Sequence, residues 1–467
     1  MSQKHHESQE HQANAFTRFV EWFSVWSIRW IPDAMVFVLL LTLVIFLMAW
    51  GLTDHGPIQL VNDWVKGFWA LLTFAMQMCV LMITGFVLAD SRPVRRAITR
   101  FVTSFKSART AIICYSVLIS CVWWLHWGVG MMVGIIMGRE LAARNKGLGL
   151  HYPIIASIAY CAIANSAGLS QAAPLLIATP GHFIEGMIGV IPITETQLLP
   201  YMQTINLILF IVFPLMFVLM TPSKSKIEEI SDELIQEFTA EIPAPPMGKK
   251  RTPAQILDTT ILLPLIISIL GMVWAVQHFS NKGFAGLDLN SLNFVILMLG
   301  LILHKSPYNF VASVGRGVGM VGGVIVQFPF YAGIFGIIQH SGLSGILAGW
   351  FVSISTTHTF PIVNYIYSGI MNIFVPSGGS KFVIEAPYIV PAAQQLGTPI
   401  AYVINSYVMG DLTTNLMQPF WALPILGAFK LKFQQILPYG FILMIVYAII
   451  CTVCFYFFQF IFPTPLY

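Results

Sequence analysis

The stretch HWGVG at His126–Gly130, followed by ANSAGLSQAAP at Ala164–Pro174, sets glycines and then Asn, Ser and Gln into otherwise apolar sequence. About 250 residues further on the plan recurs: PSGGSK at Pro376–Lys381, then GDLTTNLMQP at Gly410–Pro419. Backbone that leaves a helix at membrane depth exposes N–H and C=O groups that hydrocarbon cannot satisfy, so such segments face a protein-lined or water-filled site. A Gly-rich hairpin tip followed by an interrupted span, present twice, is the plan of a secondary transporter's binding region.

Composition agrees with a membrane setting. The 467 residues are 57% hydrophobic and only 9% charged, against about a quarter charged in soluble proteins. The net charge of +4 comes mostly from Lys and Arg in short loops, where it reports orientation and implies no nucleic-acid partner. The start, with His5, His6, Glu7 and Glu10, lacks the succession of a cleaved signal peptide, so the first apolar segment is expected to stay in the membrane. Six cysteines all fall in apolar segments; the Cys451/Cys454 pair lies inside one such run and reads as packing thiols.

Apolar runs long enough to span are expected at residues 33–52, 64–89, 203–220, 257–279, 318–338 and 434–462, with a shorter one at 291–304. Basic residues order them. Arg92, Arg95, Arg96, Arg100, Lys106 and Arg109 form one cluster, Arg139, Arg144 and Lys146 a second, and Lys224, Lys226, Lys249, Lys250 and Arg251 a third. The positive-inside rule puts all three in the cytoplasm. Residues 110–142 then enter and leave from one side as a re-entrant hairpin turning at Gly128–Gly130, because Arg139 follows those glycines too closely for a second crossing.

The broken span 152–185 crosses outward to a loop carrying Glu185 and Glu195, and 203–220 returns to the third cluster. Continuing the count through Lys305 and Arg316, residues 341–396 hang from the external side before the broken span 399–430 returns to Lys430 and Lys432. The expected fold is therefore an all-α polytopic membrane protein with an inverted repeat: two re-entrant hairpins and two interrupted helices. Its halves are 33–221 and 257–467, the second opening with a linker span at 257–279. Residues 1–32 hold a cytoplasmic N-terminus with an interfacial helix at 16–31 (FTRFVEWFSVWSIRWI), and 222–256 form a cytoplasmic linker containing IPAPP.

Small tip residues let a solute approach backbone N–H groups, so Ser377, Gly378, Gly379 and Ser380 are candidate anion binders. Asn165 and Ser166 in one half, and Thr413, Thr414 and Asn415 in the other, offer side-chain oxygens suited to Na⁺; interhelical hydrogen bonding is the plainer alternative. Asp411 within a span could ligate a cation, carry a proton or pair with a basic residue. Lys381 and Glu385 stand four apart, the spacing of a helical ion pair that would mask both charges. His126 could titrate during transport, although a packing histidine explains it as well. No GxxxxGK[ST] loop and no HExxH motif occur, and MGD at Met409–Asp411 lacks the partner aspartate an intramembrane protease needs.

The stretches PSGGSKFVIEAPYIVPAAQQLG (Pro376–Gly397) and NSYVMGDLTTNLMQPFWALPILG (Asn405–Gly427) resemble the short-chain fatty acid transporter family of AtoE-type permeases. WWLHWGVGMMVGIIMGREL and AIANSAGLSQAAPLLIATPGH in the first half are similar to the same family. More distantly, the pattern resembles the ion transporter superfamily of dicarboxylate/sodium symporters and aminobenzoyl-glutamate transporters. The resemblance implies a non-enzymatic, multi-pass transporter in the bacterial cytoplasmic membrane, N-terminus inside. It also implies a homodimer with scaffold and transport domains that moves as an elevator. The expected cargo is a short monocarboxylate such as acetoacetate or butyrate, moved with H⁺ or Na⁺ and no cofactor.

The residues and the resemblance together give expected substrate contacts at His126, Trp127, Gly128, Gly130, Asn165, Ser166, Ser377, Gly378, Gly379, Ser380 and Asn415. They give expected ion ligands at Asn165, Ser166, Ser377, Asp411, Thr413, Thr414 and Asn415. The first tip, Trp127–Gly130, lacks the Ser, Asn and Thr of the dicarboxylate relatives and offers fewer oxygens for a first Na⁺ site. Export of amphipathic carboxylates is the alternative within the superfamily, and an intramembrane hydrolase the alternative of another class.

Overall fold

The computed structural model describes residues 34–239 and 252–462, and among these every regular element is helical. The interfacial helix expected at 16–31 and the IPAPP stretch lie outside the described residues. Among the described residues, seven helical segments are long and apolar enough to cross a membrane, including Met35–Leu52, Leu72–Asp90, Pro200–Leu219, Gly322–His340 and Phe433–Ile461. Their outward faces carry exposed Leu, Ile, Val and Phe, as helices bathed in lipid do.

The first helices are α1 (Ala34–Leu52), α2 (Pro57–Phe68), α3 (Leu72–Asp90) and α4 (Arg92–Val102). Next come α5 (Ala108–Leu125) and α6 (Trp127–Arg144), then α7 (Tyr152–Cys161), a 3-10 turn at Ala162–Asn165, α8 (Ala172–Ile177), α9 (Glu185–Ile188) and α10 (Pro200–Leu219). α11 (Asp232–Thr239), α12 (Pro253–Thr259) and α13 (Leu262–Lys282) intervene. A second run follows: α14 (Leu289–His304), α15 (Pro307–Val318), α16 (Gly322–His340), α17 (Leu343–Ile354), α18 (Phe360–Phe374), α19 (Gly378–Leu396), α20 (Ile400–Asn415), α21 (Pro419–Phe429) and α22 (Phe433–Ile461).

Two expected spans are divided. Residues 64–89 contain the end of the amphipathic α2, a turn at 69–71 and then α3; residues 318–338 likewise contain the end of α15, a turn at 319–321 and α16. Both amphipathic helices start with Pro in the first turn, where its missing N–H costs nothing. α2 lies against α16 so closely that a Cβ on Gly67 would stand 2.5 Å from the Ala332 carbonyl. α15 lies against α3, where a Cβ on Gly317 would meet the Phe86 ring at 3.0 Å. Each run thus lends its amphipathic helix to the long helix of the other.

Helices α5 and α6 form the first hairpin, tied by Tyr115 Oη donating to the Gly134 carbonyl at 2.7 Å. Its turn is the single extended residue His126, whose Nδ1 accepts the Val129 N–H at 3.2 Å and so caps α6. This corrects the turn expected at Gly128–Gly130: those glycines lie in the first turn of α6. They are there for close packing, since a Cβ on Gly130 would stand 2.7 Å from Trp123 Cγ and one on Gly85 of α3 would stand 2.9 Å from the Gly128 carbonyl carbon.

The second hairpin is narrower than the region 341–396 expected for it. Only α18 and α19 form it, with Val375–Ser377 as the link and Ser377 Oγ accepting the Ser380 N–H at 3.4 Å; α17 is a separate helix packed on α19. Both broken spans press onto the hairpin of their own run. A Cβ on Gly168 would come within 2.0 Å of the Trp124 carbonyl, and one on Gly410 within 2.1 Å of the Tyr365 carbonyl. Glycine is required at both.

Candidate functional site

The break after α20 is held by one side chain of the second hairpin. Asn372 Nδ2 on α18 reaches the Asp411 carbonyl at 2.9 Å, Thr414 Oγ1 at 3.0 Å and Asn415 Oδ1 at 2.7 Å. Gln418, inside the break, returns its Nε2 to the Asn372 carbonyl at 3.0 Å. Asn415 Nδ2 donates to Asp411 Oδ2 at 3.2 Å. The Asn415 and Gln418 amides thus find partners, as burial favours, whereas Asn372 Oδ1 is buried without one.

Beside them lies a buried charge cluster. Lys381, fully buried one turn into α19, donates through Nζ to the Ser368 carbonyl at 2.9 Å and to Ser368 Oγ at 2.6 Å. The same ammonium stands 3.2 Å from Asp411 Oδ1 and 4.3 Å from the centroid of the Tyr407 ring. Tyr407 in turn donates its hydroxyl to the Gly378 carbonyl at 2.7 Å. The expected Lys381–Glu385 pair is thus corrected. Lysine reaches across to α20 and takes Asp411, and both Glu385 oxygens are left buried without a hydrogen bond. Helical spacing pointed to Glu385, but the packing of α19 on α20 brings Asp411 to the ammonium, which also reaches Ser368.

The first run repeats the arrangement with fewer polar groups. Asn165 Nδ2 donates to Ser120 Oγ on the hairpin at 3.1 Å, its Oδ1 having no hydrogen-bond partner. Ser170 Oγ accepts the Trp127 N–H at 2.8 Å, and Leu169 N–H reaches the Trp124 carbonyl at 2.8 Å, so tip and break are stitched together. Gln171 Oε1 accepts the Ala172 N–H at 2.9 Å and caps α8. The two runs are also joined to each other: Tyr160 Oη donates to the Asn415 carbonyl at 2.7 Å and the Gln418 carbonyl at 3.0 Å.

One cavity of about 630 Å³ touches both tips and both breaks. At the tips and breaks its lining is polar, with Ser166, Gln171, Ser377, Ser380, Asp411 and Asn415 beside Gly378 and Gly379. Its wall is apolar, with Trp127, Met78, Met82, Met131, Met132 and Phe86. The groove follows α6 as far as Arg139, twelve residues beyond Trp127 and so about 18 Å at 1.5 Å per residue. Arg316 also lines it, bonded to Asp90 together with Arg95.

Of the residues singled out in the sequence, Trp127, Ser166, Ser377, Gly378, Gly379, Ser380, Asp411 and Asn415 meet in this cavity. His126, Gly128, Gly130 and Asn165 lie behind it in the packing of the first hairpin. Thr413 turns to Tyr365 Oη at 2.6 Å and Thr414 to the Gly369 carbonyl at 3.0 Å, which places both in the α18–α20 contact. Asn372, Ser368, Tyr160 and Gln171 escaped the reading of the sequence. Gln171 and Gln418 sit in the quoted interruptions, and that was a usable signal; Asn372 and Tyr160 sit in ordinary helix and gave none.

The family model described as short chain fatty acid transporter matches residues 15–458. A protein of Escherichia coli (strain K12) named "Putative short-chain fatty acid transporter" is 35% identical over 91% of this chain and 94% of its own length. A protein of the same name from Haemophilus influenzae is 33% identical over 92% of this chain and 97% of its own. Among solved structures, the Alcanivorax borkumensis YdaH transporter has a TM-score of 0.56 at 14% identity, covering 93% of this chain and 100% of that one. Neisseria gonorrhoeae MtrF, titled as illuminating a class of antimetabolite efflux pumps, also gives 0.56 at 14% identity, over 96% and 99%. Those two likenesses show a shared helical fold. The near-complete family match, with relatives above 30% identity over nine-tenths of the chain, makes this protein a member of the short-chain fatty acid transporter family: a multi-pass membrane transporter, not an enzyme.

Proposed function

We propose that the chain is a secondary active transporter of short monocarboxylates such as butyrate and acetoacetate. The observation that carries this reading is the cavity in which both tips and both breaks meet, lined there by polar residues and elsewhere by several methionines. A carboxylate binds at Ser377–Ser380, Ser166 and Asn415, where N–H and hydroxyl donors converge at the start of α19. The alkyl tail lies against Trp127 and the methionines, which adapt to tails of different length.

The two runs of helices are read as inverted halves, as the basic clusters require. In that orientation the cavity opens along α6 towards the cytoplasmic Arg139. The membrane is the bacterial cytoplasmic membrane, the N-terminus is inside, and the working unit is a homodimer. Hairpins and broken spans move as an elevator domain against the remaining helices, drawing on an H⁺ or Na⁺ gradient. Export of larger amphipathic carboxylates is a second reading, favoured by a cavity of about 630 Å³, ample for more than four carbons.

Exchange of labelled butyrate across proteoliposomes holding the purified chain tests the reading. Asn415→Ala and Ser377→Ala are expected to lower exchange at least tenfold with insertion unchanged; normal rates in both variants would remove the proposed site. Lower cellular retention of aromatic carboxylates, with butyrate inert, would favour export.

A further inference from the structure

Glu385 is 0% exposed, and neither of its carboxylate oxygens has a hydrogen-bond partner. It lies on α19 one turn beyond Lys381, outside the lining of the substrate cavity. An ionised carboxylate in such a place forfeits its hydration and gains nothing in return, a penalty of several kcal/mol.

The groups that act on it electrostatically are Lys381 of the same helix and Asp411 of α20. The phenols facing it are Tyr367 of α18, Tyr388 of α19 and Tyr407 of α20. Of the other helices packed on α19, α8 and α17 carry no titratable side chain, and α16 brings Tyr331 and His340. His340 belongs with Lys66, Asp63 and His55.

Charge counting then decides the state of the cluster. Lys381 and Asp411 neutralise each other at 3.2 Å, so an ionised Glu385 would leave one net negative charge in a dry interior. Binding one cation removes it. A metal ion at Glu385 would need several oxygen ligands, and the acidic group that acts on Glu385, Asp411, is already paired with the Lys381 ammonium. The Lys381 ammonium already occupies the oxygen set offered by Ser368 and Asp411, and repels a second fixed charge. A proton needs neither ligands nor space.

We propose that Glu385 is the proton-carrying group of this transporter, so that the cargo carboxylate crosses with one proton. The inference rests on the transport reading above. Glu385 binds a proton from water on one side as the carboxylic acid and releases it on the other as the carboxylate, while the cargo binds beside the tip as its anion. One anion and one proton per cycle move no net charge.

The test uses the full chain in proteoliposomes with labelled butyrate and no Na⁺. With rates read above those of protein-free vesicles, into which the neutral acid diffuses, the wild type is expected to exchange butyrate, to accumulate it faster when an inside-alkaline pH gradient is imposed, and to ignore a potassium diffusion potential. Glu385→Gln mimics the protonated acid, so exchange is expected to persist while gradient-driven accumulation falls at least tenfold; Glu385→Asp is expected to restore part of it. Accumulation by Glu385→Gln equal to the wild type would overturn the proposal, as would wild-type accumulation driven by a Na⁺ gradient alone. A wild type that exchanges neither butyrate nor acetoacetate would instead overturn the transport reading. If Glu385→Gln does not fold, infrared difference spectra of the wild type between neutral and alkaline pH serve. Loss of a protonated-carboxyl band that Asp411→Asn retains supports the assignment, and no such band overturns it.

Discussion

Tyr160 on α7 donates its hydroxyl to the carbonyl of Asn415 on α20, 255 positions away, at 2.7 Å. A side chain of the first broken span thus closes the break in the second, also reaching the Gln418 carbonyl at 3.0 Å. Opening one break is thereby tied to the other. Tyr160→Phe removes the donor and keeps the ring, and is expected to destabilise the protein by about 1–3 kcal/mol. Thermal unfolding in detergent checks this, and unaltered stability and exchange would show that the bridge is idle.

The Lys381–Asp411 pair is fully buried, so its members are expected to be costly to separate. Lys381→Met leaves Asp411 unpaired and should lower stability by about 3–5 kcal/mol. The double change Lys381→Met with Asp411→Leu should recover most of that loss, because an apolar pair needs no partners. A double-mutant cycle on unfolding measures the difference, and additive losses would contradict the ion pair.

Two glycines of the second broken span make opposite predictions. Gly410→Ala would drive a methyl group to 2.1 Å from the Tyr365 carbonyl, a backbone clash that should cost about 1–3 kcal/mol or more. At Gly427 a methyl group would meet nothing within 4 Å, and Gly427→Ala in the same kind of helix should be neutral or stabilise by about 0.5–1 kcal/mol. Melting temperatures of the two variants suffice for the comparison.

Selectivity is expected to reside in the apolar wall. Met131 lines the cavity four residues after Trp127, and Met131→Trp shortens the space for an alkyl tail. Each excluded methylene is worth about 1–3 kcal/mol, so acetate should gain on butyrate by at least tenfold in competition for exchange. An unchanged ratio would move the tail elsewhere in the cavity.

Outside the spans, a strap after α10 is fastened to the connection between α6 and α7. Glu229 accepts the Gly149 N–H at 2.7 Å, and His151 Nδ1 accepts the Glu228 N–H at 3.1 Å. Burial holds the His151 imidazole below its ordinary pKa of 6.5, opposed by the Glu228 carboxylate. With the folded value below the unfolded one, the unfolded chain takes up the proton first. The contribution of neutral His151 is therefore full above about pH 6.5 and is lost as pH falls through the lowered folded value. Amide exchange over residues 227–239 should rise on acidification, and His151→Gln should abolish that pH dependence.

Much of the plan was legible in the sequence because lipid imposes it. A polar residue or glycine in an apolar run stands out, and Ser166, Ser377–Ser380, Asp411 and Asn415 stand out in this way and meet in one cavity. The amphipathic helices Pro57–Phe68 and Pro307–Val318 were missed, since each runs into the apolar segment that follows and only a turn divides them. Thr413 and Thr414 were marked for their oxygens, but rotation about α20 turns those oxygens to Tyr365 and Gly369.

By itself, the sequence determined that the chain is a polytopic membrane protein, and through its motifs the family to which it belongs. Hydrophobic length and charge placement are local properties, readable one segment at a time. Which partner Lys381 takes was decided by the packing of α19 on α20, and with it the isolation of Glu385. The tie from Tyr160 to Asn415 and the meeting of both tips in one cavity were decided in the same way. Those contacts join residues far apart in the chain, and only the folded backbone sets the distances between them.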